Sequence, residues 1–97
     1  MNDKQFKELY DETELLGNLL YYREEEIYRE RIEQEPNPQR QKEMRSRAAS
    51  GFELGEQMGI VWRMHDLYKA KTIQEIEEVK SYFQNIEIRR GLESQKA

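Results

Sequence analysis

Two prolines, Pro36 and Pro38, stand together in Glu35-Pro36-Asn37-Pro38 and nowhere else in the 97 residues. Proline lacks a backbone donor and disfavours helical geometry at the residue before it. One helix must therefore end by about Gln34. Another can begin at Pro38, with Asn37 as its cap and proline at the first helical position. The apolar residues on both sides repeat at helical spacing. Phe6, Leu9, Tyr10, Thr13, Leu16, Gly17, Leu20 and Ile27 form an i, i+3, i+4 stripe that Leu15, Leu19 and Tyr22 widen, which predicts a helix over 3–34 opened by Asp3.

A second helix is predicted over 38–69. Met44, Ala48, Phe52, Gly55, Gly59 and Trp62 lie on one face, Leu54, Val61 and Tyr68 on another, and Ile60, Met64 and Leu67 on a third. From Phe52 to Tyr68 this helix is apolar on several sides and calls for cover on several sides. Thr72-Ile73-Gln74-Glu75 has the capping-box form and predicts a third helix over 72–90. Its stripe is Ile73, Ile76, Val79, Phe83 and Ile86, Gly91 supplies a stop, and the tail 92–97 is expected to fray.

The short link at Pro36–Pro38 favours packing of the first two helices side by side. Charge points the same way. Residues 1–35 carry eleven acids against five bases, and residues 36–50 carry four bases against one acid, so folding back sets Glu24–Glu35 beside Arg40–Arg47. The expected fold class is all-α: a long antiparallel helical hairpin plus a shorter third helix, one domain over 1–97, with a bundle completed by self-association. Leu, Ile, Val and Phe total only 20 residues, so the core is thin. Six Tyr, four Met and one Trp supplement it. With no cysteine, neither disulfides nor a thiolate zinc site can brace it, and the single histidine, His65, excludes a His-rich metal site within one chain.

The net charge of −4 gives no basic excess to draw the chain to nucleic acid and no strong acidity to mimic it. MNDKQFKELYDE lacks the apolar run of a secretory leader, and Ile60-Val61-Trp62 is the longest run of large apolar residues. A cytoplasmic protein without a membrane span is expected.

Gly51, Gly55 and Gly59 recur at i, i+4 and i+8. Each costs about 1 kcal/mol against alanine inside a helix, which predicts close helix packing along that row; a soft or kinked helix is the alternative. Glu53 with Glu56, and Glu75 with Glu78, have the E-x-x-E spacing by which all-α nucleotide hydrolases hold magnesium. Among twenty acids such pairs also arise as solvated faces. His65-Asp66 could suggest a base with an orienting carboxylate, but neighbours on a helix do not face each other. Arg40, Lys42, Arg45 and Arg47 could contact phosphates with Tyr28 nearby for stacking, or simply pair within the chain. Tyr10 and Trp62 are expected in the core. Tyr21, Tyr22 and Tyr28 cannot all face one core and are interface candidates, together with Met64 and Leu67 on the face left uncovered.

No residue is assigned a catalytic, cofactor or metal role. The leading expectation is a non-enzymatic helical interaction protein, a regulator or inhibitor acting through helix faces as a homodimer or with another protein. The rivals are a nucleic-acid-associated regulator using the basic segment 40–47 and a magnesium-dependent nucleotide hydrolase.

Overall fold

The computed structural model describes residues 3–51 and 53–96, and for 92–96 the backbone alone. Among these residues the chain is all-helical: α1 (Asp3–Gln34), α2 (Pro38–Ala49), α3 (Gln57–Lys69) and α4 (Ile73–Lys96). The proline pair acts as the sequence requires. α1 stops at Gln34, and the Asn37 side chain accepts hydrogen bonds from the backbone N–H of Gln39 (3.0 Å) and Arg40 (3.2 Å). Pro38 has no N–H, so two of the three orphan donors at this end of α2 are thereby satisfied.

The second helix differs from expectation. It is not continuous over 38–69 but breaks into α2 and α3. Gly51 and Gly55 adopt φ of +78° and +55°, left-handed conformations that cost an L-residue about 1–2 kcal/mol. Two of the three glycines thus serve the turn between helices and do not line a helix face. Phe52 lies outside the described residues. Past the turn, Gln57 restarts the chain: its Oε1 accepts from Leu54 N (2.7 Å), its N–H donates to Leu54 O (3.0 Å), and its Nε2 donates to the Tyr21 carbonyl of α1 (2.9 Å).

The Thr72–Glu75 cap forms, with Glu75 N donating to Thr72 Oγ1 (3.1 Å) and Glu75 Oε1 accepting from Lys71 N (3.2 Å) and Thr72 Oγ1 (3.1 Å). α4 does not stop at Gly91. Its backbone stays helical through 92–96, where fraying was expected, and Ala97 lies outside the described residues.

α1, α3 and α4 enclose the core. Leu20, Ile60, Met64, Leu67, Ile76, Val79, Phe83 and Ile86 are buried together, and Phe6, Leu9, Tyr10, Leu16, Tyr21, Ala70 and Tyr82 pack against them. Full burial of each large apolar side chain contributes roughly 1.5–3 kcal/mol. α4 runs parallel to α1, with Lys80 at Glu12 and Arg90 at Glu24. α3 runs back along α1, with Gln57 at Tyr21 and Met64 at Gly17. The Met64 and Phe83 side chains pack onto the bare backbone of Gly17, where an added Cβ would meet Met64 Sδ at 2.6 Å and Phe83 Cε2 at 2.8 Å. Gly59 and Gly55 are approached closely as well, by the Tyr82 hydroxyl and the Glu24 carboxylate. Of the glycine row, Gly55 and Gly59 thus lie close against side chains of α1 and α4, and Gly51 does not.

α2 stands apart. It packs on α1 and on neither α3 nor α4, and none of its residues is buried. Gln41 Nε2 donates to the Ile32 carbonyl (2.8 Å), which ties α2 to the last turns of α1. Of the acid–base contacts expected there, Arg40 lies 3.5 Å from Glu35. Glu24, Glu25 and Glu26 instead bond Arg90, Arg29 and Arg23.

Candidate functional site

The face-by-face reading of residues 52–68 left one side uncovered, and the structure shows which. Met64 and Leu67, expected on that side, are core residues at 8% and 0% exposure. Trp62, expected in the core, is 64% exposed. The reversal follows from where α3 begins. Gln57 is fixed to Tyr21, so Ile60, Met64 and Leu67 point inward and Met58, Trp62 and His65 point outward.

The exposed large apolar residues concentrate on α1 and α3. Leu15, Leu19 and Tyr22 form an i, i+4, i+7 stripe on α1, while Met58, Trp62 and Tyr68 stand out from α3. His65 bridges the aromatics of α3, with ring centroids 6.1 Å from Trp62 and 6.4 Å from Tyr68. A groove of about 290 Å³ joins the two helices, and Asn18, Tyr21, Tyr22, Val61, His65 and Tyr68 line it. Of the two stripes, Tyr22 and Tyr68 border this groove, whereas Leu19 lines a cleft on the other side of α1 with Glu87, Arg90 and Gly91 of α4. Tyr22 meets Tyr21 edge-on at 5.8 Å. Tyr21 is half-buried and its hydroxyl donates to Glu53 (2.8 Å). That bond holds the Tyr21 phenol above its ordinary pKa, with burial and the Glu53 charge adding to the effect.

A second polar cluster fixes the turn between α2 and α3. Glu24 is 2% exposed, and its Oε2 accepts from Arg90 Nη2 (2.8 Å) and from the Glu56 backbone N–H (3.1 Å). Arg89 donates to Glu56 Oε1 (2.7 Å). Sequence reading passed over Glu24 because it stands in the polar run Arg23–Glu26. Its i, i+4 register with Leu20 is the signal that could have found it.

The two E-x-x-E pairs do not converge. Glu56 bonds Arg89 near the far end of α4, whereas Glu75 caps the near end, about 20 Å away at 1.5 Å per residue. Glu53 accepts from Tyr21. His65 and Asp66 do not pair either, since Asp66 accepts from Arg63 (3.2 Å). Among the described residues no three His, Asp or Glu side chains are grouped to hold a metal ion.

Where α1 meets α2, Tyr28 lines an open cleft with Arg40, Glu43, Met44 and Arg47. Lys42 and Arg45 are exposed, and Arg45 sits in a smaller cleft with Arg29 and Ala48. Tyr28 therefore belongs with the basic helix and not with the Tyr22 surface. No described helix is long and apolar enough to cross a membrane. The chain matches no protein-family model, no curated protein and no solved structure.

Proposed function

We propose that this chain is a non-enzymatic helical interaction protein, a regulator or inhibitor that works by binding protein through the α1/α3 face. The observation that carries this reading is that Tyr22 and Tyr68 are each more than half exposed on the two walls of the α1/α3 groove, while Met58 and Trp62 add exposed apolar area on the outer side of α3. Soluble monomers seldom expose contiguous apolar patches beyond a few hundred Å², and Trp and Tyr are the residues richest in binding hot spots. Site-specific photo-crosslinking in the expressing cell tests it. A benzophenone side chain in place of Trp62 or Tyr22 should give protein adducts that the same group in place of Ser81, exposed on α4, does not give. Equal labelling from both faces, or no adducts from either, would overturn the reading.

The cleft formed by Tyr28, Arg40 and Arg47 supports a second reading, in which the basic helix contacts nucleic acid. Bases beside an aromatic are the ingredients for holding a phosphate backbone and stacking a base. Binding of a labelled single-stranded oligonucleotide, weakening with salt and abolished by Lys42→Glu with Arg45→Glu, is the expected result. Binding unchanged in that double variant would remove it.

A further inference from the structure

We infer that the α1/α3 groove receives a basic helix of a partner protein, which sets one Lys or Arg against Glu14 and Tyr68 at one end and another against Glu53, Tyr21 and Tyr22 at the other. The inference rests on the reading of this groove as a protein-binding surface and names the chemistry of what binds there.

Charge is the first argument. The groove lining holds His65 but no Lys or Arg. The bases of α3, Arg63 and Lys69, line a separate cleft with Glu75 and Glu78 of α4. Acids stand at both ends of the groove instead. On α1, Glu14 lies one turn before Asn18 and Glu25 one turn after Tyr21, on the face that borders it. Asp11 and Glu25 are answered by Lys7 (3.6 Å) and Arg29 (2.9 Å). Glu14 and Glu53 are half-buried, and among the described residues neither has a basic partner. Carboxylates left unbalanced beside an apolar groove draw a cation into it.

Aromatic rings complete each end. The Tyr10 phenol is held above its ordinary pKa by burial first, then by Glu14, Tyr68 and Asp11, so Glu14 and the exposed Tyr68 stand about one phenol. At the other end the exposed Tyr22 meets Tyr21 edge-on, and the Tyr21 hydroxyl is bound to Glu53. A ring beside a carboxylate holds an ammonium or guanidinium both by charge and through the ring face. Arg63 makes the ring contact within the chain, 4.9 Å from the Tyr82 centroid.

Spacing selects a helix. Glu14 and Tyr21 are seven residues apart on α1, about 10 Å at 1.5 Å per residue. Two bases at i and i+7 of a helix lying along the groove stand the same distance apart on one face. Between them Gly17, Ile60 and Met64 floor the groove and take an apolar side chain from i+3 or i+4.

A display library of helical peptides, randomised on one face and panned against the purified full chain, tests this. Selected peptides should carry Lys or Arg at two positions seven apart, and a synthetic copy should bind more weakly as salt rises. Glu14→Gln with Glu53→Gln should weaken that binding roughly tenfold with helical circular dichroism unchanged. Glu77→Gln with Glu87→Gln, an equal change of charge at exposed positions of α4, should leave it unaltered. An equal loss there would make net charge the cause and overturn the inference. Neutral or acidic peptides whose binding is lost on Tyr22→Ala would overturn the basic helix and keep the protein-binding reading. A chain that dimerises in sedimentation equilibrium and dissociates on Tyr22→Glu would give the groove to a second copy and overturn the separate partner. Selected peptides indifferent to Tyr22→Ala, or none selected at all, would remove the groove as a protein-binding surface, so the two failures are distinguishable.

Discussion

Gly51 and Gly55 share a left-handed backbone but not a neighbourhood. A Cβ on Gly51 meets nothing within 4 Å, whereas one on Gly55 would stand 2.6 Å from Glu24 Oε2. Gly51→Ala should cost only the backbone strain of about 1–2 kcal/mol. Gly55→Ala adds displacement of a buried, ion-paired carboxylate, and its urea midpoint should fall measurably further. Glu24 and Arg90 invite a double-mutant cycle. Arg90→Met strands a buried carboxylate and should cost about 3–5 kcal/mol, whereas Glu24→Met with Arg90→Met should recover much of that loss. A double variant no more stable than Arg90→Met would show that the pair's value is not electrostatic. Tyr21 titrates above the ordinary 10.0, and so does Tyr10, raised first by burial and then by Glu14. Folding favours the neutral phenol at both, so their contribution is complete below pH 10 and is lost as pH rises through the raised folded values. Unfolding measured between about pH 9 and pH 11 should show a loss of stability that Tyr21→Phe makes shallower.

At the scale of elements, local signals decided what the sequence could say. The end of α1, the Asn37 cap, the Thr72–Glu75 cap and the buried stripe Ile76, Val79, Phe83 and Ile86 were all legible, because each depends on neighbours in the chain. The break at residues 50–56 was not. Three glycines at four-residue spacing read equally as a packing row or as turn residues, and tertiary bonds from Gln57 and Glu24 select the turn. The same ambiguity misplaced Trp62, Met64 and Leu67. A segment apolar on three sides does not state which side is left over, and the restart at Gln57 sets the rotation of α3. A surplus apolar face was legible, then, but apart from Tyr21 and Tyr22 its residues were not. α2, with no buried residue, should open independently of the core. Asn37→Ala removes its cap, worth about 1 kcal/mol. Hydrogen exchange should then speed up across 38–49 while protection in α3 and α4 stays unchanged; equal loss in all three would mean that α2 and the core unfold as one.

The whole molecule measures 55 × 30 × 14 Å, and its radius of gyration of 16.1 Å exceeds the roughly 12–13 Å of an equidimensional domain of this length. A thin body has much surface and little interior, so each core side chain matters more. Met64→Gln should cost about 1–3 kcal/mol by burying an amide without partners against Gly17 and Phe83. Trp62→Gln, measured at high dilution, should stay within about 0.5 kcal/mol of the parent. A Trp62→Gln variant as damaged as Met64→Gln would place Trp62 in the interior and remove the α1/α3 surface. The attachment of α2 to α1 alone carries a consequence for descent. Three helices close the core without it, so the segment 38–49 is an appendage on a finished domain. Mutations there escape the bargaining that constrains interior positions, and lineages are free to rewrite the charge of that arm while inheriting the body unaltered.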